Sequence, residues 1–258
     1  MLIADQNLSD SASTIIAGSQ VSSLPIENVQ NNPVAKIWRT SNSNSDHILI
    51  NMGSQVSIRI VALLGTNLTS SATIRIRADN SDTTATTGAI LDTGVVDANI
   101  DDNYNTLYYV LNSDTTAQYW RIDLADNILS VLEVGRLFMG PAFFPDTKAQ
   151  FGWTLNYKDS SSISQSLGNQ TFIDPRNKER VLAFTLSFLS ESEAYDTIFE
   201  LQRRIGQSEN ILVMMNENET DSLRRSQYSI YGLINQTGQV IHRTIGVFQT
   251  KFQIKERL

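Results

Sequence analysis

Apolar and polar side chains alternate along several short segments of this chain. The stretch YWRIDL places Trp120, Ile122 and Leu124 on one side and Arg121 and Asp123 on the other. A period of two with one polar side is typical of an antiparallel strand whose outer face meets water. The same alternation predicts further strands in the first half of the chain, at 48–52, 58–64, 72–78 and 132–141.

Two of these segments have informative side-chain positions. The apolar residues of 58–64 are predicted to share one face: Ile58, Ile60, Ala62 and Leu64. In 72–78, Arg75 and Arg77 fall on the face opposite Ile74 and Ile76. Turn-rich stretches, DNSDTTATTG and DANIDDNYNT, separate the segments. Short strands at this spacing indicate a β-sandwich or jelly roll.

The second half of the chain predicts strands interrupted by one helix. VLAFTLSFLS is predicted to form a strand with one apolar face, composed of Leu182, Phe184, Leu186 and Phe188. Ser190 and Glu193 form a capping box, which predicts a helix over about 191–205, and Gly206 suits its C-terminus. Three more strands are predicted at 210–216, 228–234 and 245–254. We therefore predict a mainly β chain: a jelly-roll sandwich, then a β-sandwich or barrel with one α-helix.

The charge distribution and the prolines divide the chain near residue 145. Residues 1–150 carry 8 Lys+Arg and 15 Asp+Glu, whereas residues 151–258 carry 12 of each. Pro141 and Pro145 bracket the stretch between these halves. We predict an N-terminal arm or edge strand at 1–23, one β domain at 24–145 and a second β domain at 146–258.

Composition excludes several classes of protein. The formal net charge is −7, and a nucleic-acid-binding surface would need a basic face. The chain has no cysteine, which excludes disulfides and cysteine-based zinc sites. No segment is apolar enough to predict a membrane span, and the first residues lack a signal-peptide pattern. We therefore expect a protein made in a cytoplasm, with no cofactor and no membrane insertion.

Few residues suggest catalysis. The two histidines are His47 and His242, and neither lies in a motif such as G-x-S-x-G. Paired carboxylates from the acidic loops would suit a glycoside hydrolase, but Asp in turns usually bonds to nearby backbone. We predict that the chain is not an enzyme.

The loop at 97–103 contains candidate binding residues. Asp97, Asn99 and Asp101 match the first ligands of a calcium loop, although the expected Gly and Glu further along are absent. A solvated loop is the alternative interpretation. Tyr104 lies in the same polar region, and a Tyr ring with a neighbouring carboxylate can contact a sugar. Tyr104 and Asp101 are therefore candidate glycan contacts.

Sequence motifs in the first half resemble a known fold family. LPIENVQ, AKIWRT, DHILINMG, VSIRIVALLGTNLTSSATIRIRA, QYWRIDLAD and LEVGRLFMG resemble the galactose-binding-like, discoidin-type jelly roll. The resemblance covers residues 24–141 and is closest to versions found in tailed-phage virions. It departs from the family at Asn51-Met52-Gly53, where the family has Asp-Leu-Gly. These motifs imply the fold but bring no sugar site with them, because ligand loops vary freely.

The order of elements in the second half resembles the distal tail and tail-tube proteins of tailed phages. That resemblance implies a homo-oligomeric ring, often sixfold, which joins the tail tube to tip or hub proteins in a virion. The main hypothesis is therefore a structural tail-tip (baseplate) protein that displays a jelly roll. The alternatives are a carbohydrate-binding module that contacts a host-surface glycan and, third, a hydrolase.

Overall fold

The computed structural model describes residues 1–236 and 238–257. The chain forms two compact units: unit 1 comprises Met1–Phe144 and Leu212–Ser229, and unit 2 comprises Pro145–Ile211 and Ile230–Leu258. None of the helices in the described residues is long and apolar enough to cross a membrane. The prediction of a mainly β chain is confirmed.

Unit 1 contains the first ten strands and part of a later one. Their bounds are β1 Leu2–Ala4, β2 Thr14–Ala17, β3 Trp38–Arg39, β4 Ser45–Leu64, β5 Thr73–Asp79, β6 Leu91–Asp92, β7 Val96–Asp97, β8 Thr106–Ala125, β9 Glu133–Val134 and β10 Arg136–Gly140. Two short 3₁₀ helices occupy Leu8–Ser11 and Ile26–Gln30. The largest sheet has the order β10-β4-β8-β5-β6, with β2 on β4 and β7 on β5, while β3 pairs with β9.

The long strands β4 and β8 organise the core of unit 1. They pair along most of their length, but the register shifts between Asn51 and Val56 and again between Ile58 and Ile60. Before the shifts, even-numbered residues such as Ile48 and Ile50 face the core, and after them Val61 and Leu63 do. Both halves of these strands thus supply one hydrophobic core, as in a sandwich.

The second half of β4 differs from the prediction for 58–64. Ile60, Ala62 and Leu64 are buried, as expected for one apolar face. Val61 and Leu63 are buried too and belong to the main core. The expected solvated face is therefore wrong for this part of the strand, because the bulges change which side chains point inward and both faces are covered.

Unit 2 is built on a second sheet. The remaining strands are β11 Thr154–Lys158, β12 Ser162–Gln165, β13 Thr171–Asp174, β14 Glu179–Leu189, β15 Asn210–Met214, β16 Ser229–Gln236, β17 Ile241–Thr244 and β18 Val247–Glu256. Within unit 2, β16, β18, β14 and β11 lie side by side in that order, and β17 pairs with β18. In unit 1, residues Leu212–Met214 of β15 pair antiparallel with β1.

The apolar face predicted for β14 is correct except at its end. Leu182, Phe184 and Leu186 are buried, but Phe188 is 68% exposed and Leu189 is buried in its place. The pairing of β14 with β18 shifts register between Leu186 and Leu189, and Phe188 has φ 65°. This bulge turns the ring of Phe188 to solvent and corrects the prediction.

The predicted helix forms, with an unexpected first part. A π-helix at Glu193–Phe199 leads into α1, Glu200–Ile205, and Gly206 follows with φ 51°. The capping box is present: the Ser190 amide donates to Glu193 Oε2 at 2.9 Å, and the Glu193 amide donates to Ser190 Oγ at 3.2 Å. A second short helix that was not predicted, α2 at Ser222–Gln227, lies in the unit 1 segment and is capped by Asp221.

Candidate functional site

The predicted calcium ligands lie in a loop whose carboxylates bond locally. Asp97 Oδ1 accepts from the Asn99 amide at 2.7 Å, and Asp101 Oδ1 accepts from the Asn103 amide at 3.0 Å. Such Asx turns fix the bends of the loop. The described residues hold no group of three or more His, Cys, Asp or Glu side chains placed to bind a metal. Calcium binding by Asp97, Asn99 and Asp101 stays a prediction.

Tyr104 lies in the same loop, which is hydrogen-bonded at two points to the segment at 66–70. Asp102 Oδ1 accepts from the Ser70 amide at 2.7 Å, and the Asn105 carbonyl accepts from the Thr66 amide at 3.0 Å. The Tyr104 amide donates to the Asp101 carbonyl at 3.1 Å, so the two candidate glycan contacts share one turn. Tyr104 is half-buried. The loop thus has an anchored backbone and carries a partly exposed tyrosine.

The loop after β5 is fixed by two aspartates. The buried carboxylate of Asp79 accepts from the amides of Ser81, Asp82 and Ala89 and from the Thr87 hydroxyl. The bond from Thr87, followed by those from the amides, holds the pKa of Asp79 far below its ordinary value. The hydroxyls of Thr84 and Thr86 lower the pKa of Asp82 in the same way. These carboxylates are therefore structural anions of the loop.

The outer surface of the main sheet of unit 1 bears a set of paired charges, which we call the arginine face: Arg75, Arg77, Asp92, Arg121 and Asp123. Arg75 donates two hydrogen bonds to Asp92, at 2.8 and 2.6 Å. Arg77 Nη2 and Arg121 Nε both donate to Asp123, at 2.7 and 2.8 Å. Arg77 also donates to the Thr86 carbonyl at 2.8 Å, and this contact joins the loop after β5 to the face.

His47 borders the arginine face. It lies opposite Asp123 in the pairing of β4 with β8, and its Nδ1 is 3.6 Å from Asp46 Oδ1. Burial, and then the nearby charge of Arg121, lower the pKa of His47. The Ser19 hydroxyl donates to Asp46 at 2.6 Å and not to the imidazole. This arrangement therefore does not pair a hydroxyl nucleophile with a histidine base.

His242, the other histidine, lies in unit 2. Its ring stacks on Phe248 with the ring centroids 4.6 Å apart. It lies on the short strand β17, all of whose residues are exposed. This contact gives His242 a packing role in the structure.

Unit 2 carries an open trough on its sheet. It has a volume of about 540 Å³. Its walls include Thr154 on β11, Gln239 before β17, Ile241 on β17, and Lys251 and Gln253 on β18. The lining combines amides, hydroxyls, one amino group and apolar carbon. Such a mixed, shallow surface suits polar contacts with another molecule better than a buried small-molecule site.

A separate hairpin of unit 2, formed by β12 and β13, is exposed on both faces. Every residue of its two strands is exposed. Ile163 and Ile173 are cross-strand partners, Phe172 lies on the opposite face and Leu167 is in the connecting turn. A two-stranded hairpin with no covering layer is marginally stable in water. Its apolar side chains therefore lie exposed to solvent.

Sequence patterns indicated part of this arrangement. Alternation correctly placed Arg75, Arg77, Arg121 and Asp123 away from the core. It did not show that Arg77 and Arg121 lie directly opposite each other, since register is set by the bulges and turns of the folded sheet. The hairpin was missed because its Ser- and Gln-rich sequence has no alternation towards a core.

Comparisons with known proteins give distant structural likenesses. No protein-family model matches the chain, and no curated protein matches it either. A family 29 fucosidase of Ruminococcus gnavus, solved with fucose, is 16% identical with a TM-score of 0.44, over 54% of this chain and 27% of that chain. The family 32 carbohydrate-binding module of Clostridium perfringens NanJ, solved with galactose, is 15% identical with a TM-score of 0.41, over 55% and 99%. A fucose-binding module of Streptococcus pneumoniae is 10% identical with a TM-score of 0.40, over 53% and 98%. TM-scores this low decide nothing about the function of this chain.

Proposed function

We propose that unit 1 is a non-catalytic carbohydrate-binding module that uses the loop containing Tyr104. The observation that supports this proposal is the attachment of that loop to residues 66–70 at two points, which anchors the backbone that carries Asp101 and Tyr104. A preorganised aromatic ring loses little freedom when a sugar stacks on it. The second carboxylate oxygen of Asp101 can accept from sugar hydroxyls.

A glycan array tests this proposal, with Tyr104→Ala as the key variant. We expect the protein to bind a subset of neutral glycans and Tyr104→Ala to lose at least tenfold in affinity for them. Tyr157→Ala is the matched control, because Tyr157 is an exposed tyrosine of unit 2. Absence of binding across the array, or equal losses in both variants, would refute the module.

A second candidate function, self-assembly, is favoured by the exposed hairpin of unit 2. We propose a second copy of this chain as the partner of the hairpin. Residues 151–258 carry 12 cationic and 12 anionic side chains, so these parts of two copies have no net charge repulsion. A stable interface buries about 800 Å² on each partner. The large apolar side chains of the hairpin supply part of that area: Ile163, Leu167, Phe172 and Ile173. A ring in a phage tail tip, bound to the tail tube and hub proteins, is the setting we propose.

Light scattering and negative-stain electron microscopy of the purified protein test the assembly. We expect a defined oligomer, and we expect the double variant Ile163→Ser/Ile173→Ser to shift it to monomer. Ile128→Ser is the control, since Ile128 is an equally exposed isoleucine of unit 1. A wild-type monomer at every concentration tested would refute self-assembly through the hairpin, while leaving the glycan proposal intact.

A further inference from the structure

The arginine face holds more positive than negative charge at one point. Arg77 on β5 and Arg121 on β8 are direct cross-strand partners, and like charges in that position destabilise a sheet. Asp123 accepts from both guanidinium groups. Arg75 has its own carboxylate in Asp92. One carboxylate is thus shared by two guanidinium groups, and one positive charge stays without a matching anion on this face.

Arg121 also has hydrogen-bond donors that are not used within the described residues. Its Nε donates to Asp123, but within the described residues its two terminal nitrogens have no protein acceptor. Arg77 differs, because its Nε and Nη2 donate to Asp123 and its Nη1 to the Thr86 carbonyl. The side chain of Arg121 is only 17% exposed. A guanidinium with unused donors in a partly desolvated position is a strong site for an anion.

The surroundings of Arg121 suit an organic anion. Leu49, its cross-strand neighbour on β4, is half-buried and offers an apolar patch. Two residues further along both strands, Asn51 pairs with Tyr119. There Gln118 Nε2 donates to Asn51 Oδ1 and to the Tyr119 hydroxyl, both at 3.2 Å. Amides and a phenol beside a cation can bond to hydroxyl groups, while the patch contacts a ring.

We propose that Arg121 binds the carboxylate of an acidic sugar, such as a uronic acid, on the outer face of the sheet. The planar fork of a guanidinium matches the two oxygens of a carboxylate. His47, on the neighbouring strand, flanks the bound group, and the amides near Asn51 bond to the sugar hydroxyls. Residues 1–150 carry a net charge of −7 and would repel a polyanion, which favours a ligand with a single carboxylate. This site is separate from the Tyr104 loop and does not depend on it.

Titration followed by NMR tests the proposal, with methyl glucuronide as the probe and methyl glucoside as its neutral counterpart. We expect millimolar binding of the glucuronide, a shift of the Arg121 Nε–H signal and no binding of the glucoside. Arg121→Gln should weaken glucuronide binding at least tenfold. Arg39→Gln is the control, because Arg39 pairs with Glu133 elsewhere in unit 1, and Tyr104→Ala should also bind normally.

Several results would overturn the assignment. Equal binding of glucuronide and glucoside would show that the carboxylate is not recognised. Equal binding of inorganic sulfate would show a site for charge alone. Should Arg121→Gln fail to fold, Arg121→Lys keeps the charge but loses the planar fork, and it should bind the glucuronide several-fold more weakly. Wild-type affinity in Arg121→Lys would refute the role of the fork.

Discussion

Among individual residues, the buried Arg136 has a close carboxylate partner in Asp10. Asp10 accepts from its two terminal nitrogens at 2.6 and 2.5 Å, and the Val29 carbonyl accepts at 3.2 Å. Asp10→Ala would remove this carboxylate from a buried cation, and breaking a buried ion pair costs about 3 to 5 kcal/mol. Since Asp10 is itself about one third exposed, we expect a loss near 3 kcal/mol in urea unfolding.

The pair between Arg39 and Glu133 provides the comparison, because the Arg39 side chain is 42% exposed. Glu133→Gln should lower the free energy of unfolding by less than about 1 kcal/mol, as is usual for surface ion pairs. Equal losses in Asp10→Ala and Glu133→Gln would mean that burial of Arg136 contributes nothing to the cost.

The pH dependence of stability should report the hydrogen bonds to Asp79. Because its pKa is lowered in the folded protein, its contribution to stability is complete above the ordinary Asp pKa of about 3.9 and is lost as the pH falls towards the folded value. We expect the Tm of the protein to fall progressively from about pH 4 to about pH 1, and Thr87→Val to reduce that fall at its acid end. Asp82 and Asp92, whose pKa values are also lowered, should leave part of it in place.

Thr83→Val is the control for this measurement. Thr83 is exposed in the same loop, and in the described residues its hydroxyl donates to neither carboxylate. Its Tm should therefore follow the wild-type pH dependence. A Thr87→Val curve parallel to wild type down to about pH 1 would show that the Thr87 bond does not set the acid sensitivity.

At the scale of elements, strand β10 and the segment that follows β1 approach too closely for a side chain at Gly140. A Cβ added at Gly140 would lie 1.9 Å from the Gln6 carbonyl oxygen. Nearby, Asn7 Oδ1 accepts from the Met139 amide at 2.8 Å, which holds the two segments together. Gly140→Ala must displace backbone, so we expect a loss of more than about 2 kcal/mol by urea unfolding.

Gly168→Ala tests whether any glycine replacement has this effect. A Cβ added at Gly168 would lie 3.8 Å from Ser166 Oγ, which is an ordinary van der Waals contact. It should change the free energy of unfolding by less than about 1 kcal/mol. If Gly140→Ala is equally mild, the Gln6 segment yields easily and the close approach is not restrictive.

Periodicity predicted the elements better than their details. Strand β14 and the helix after it were found from alternation and a capping box, which are local signals. The exposure of Phe188 was not, because it depends on a bulge set by pairing with β18. The π-helix at Glu193–Phe199 was not indicated by the sequence either, and in it Tyr195 and Phe199 are exposed while Ala194 and Ile198 are buried.

The candidate site residues also divide into those that local sequence indicates and those that only long-range strand pairing brings together. Tyr104 and Asp101 could be chosen from the sequence because they occupy one polar loop. The surplus charge at Arg121 could not, since it arises from residues on two strands more than 40 positions apart that share one aspartate. Alternation gives the face of a residue, whereas cross-strand neighbours depend on long-range register.

For the whole molecule, unit 1 is not one continuous stretch of chain. Leu212–Met214 pair with the buried strand Leu2–Ala4, and Arg225 Nη2 donates to the Tyr108 carbonyl at 2.7 Å. Burial lowers the pKa of Arg225, as expected for a cation taken out of water. The segment Leu212–Ser229 therefore completes unit 1 with both backbone pairing and a hydrogen bond from the half-buried side chain of Arg225.

A fragment that ends at Phe144 should accordingly be less stable than the full chain and expose apolar surface. Without Leu212–Met214, the strand Leu2–Ala4 loses its pairing on one edge and exposes apolar side chains that are buried in the full chain. We expect fragment 1–144 to bind a hydrophobic dye strongly and to melt at a lower temperature than the full chain. Fragment 5–144 lacks the unpaired strand and should bind less dye, because the strand is the source of the exposed surface. If both fragments bind equal amounts of dye, the exposed apolar surface does not come from Leu2–Ala4. If fragment 1–144 is as stable as the full chain, unit 1 folds without the segment Leu212–Ser229.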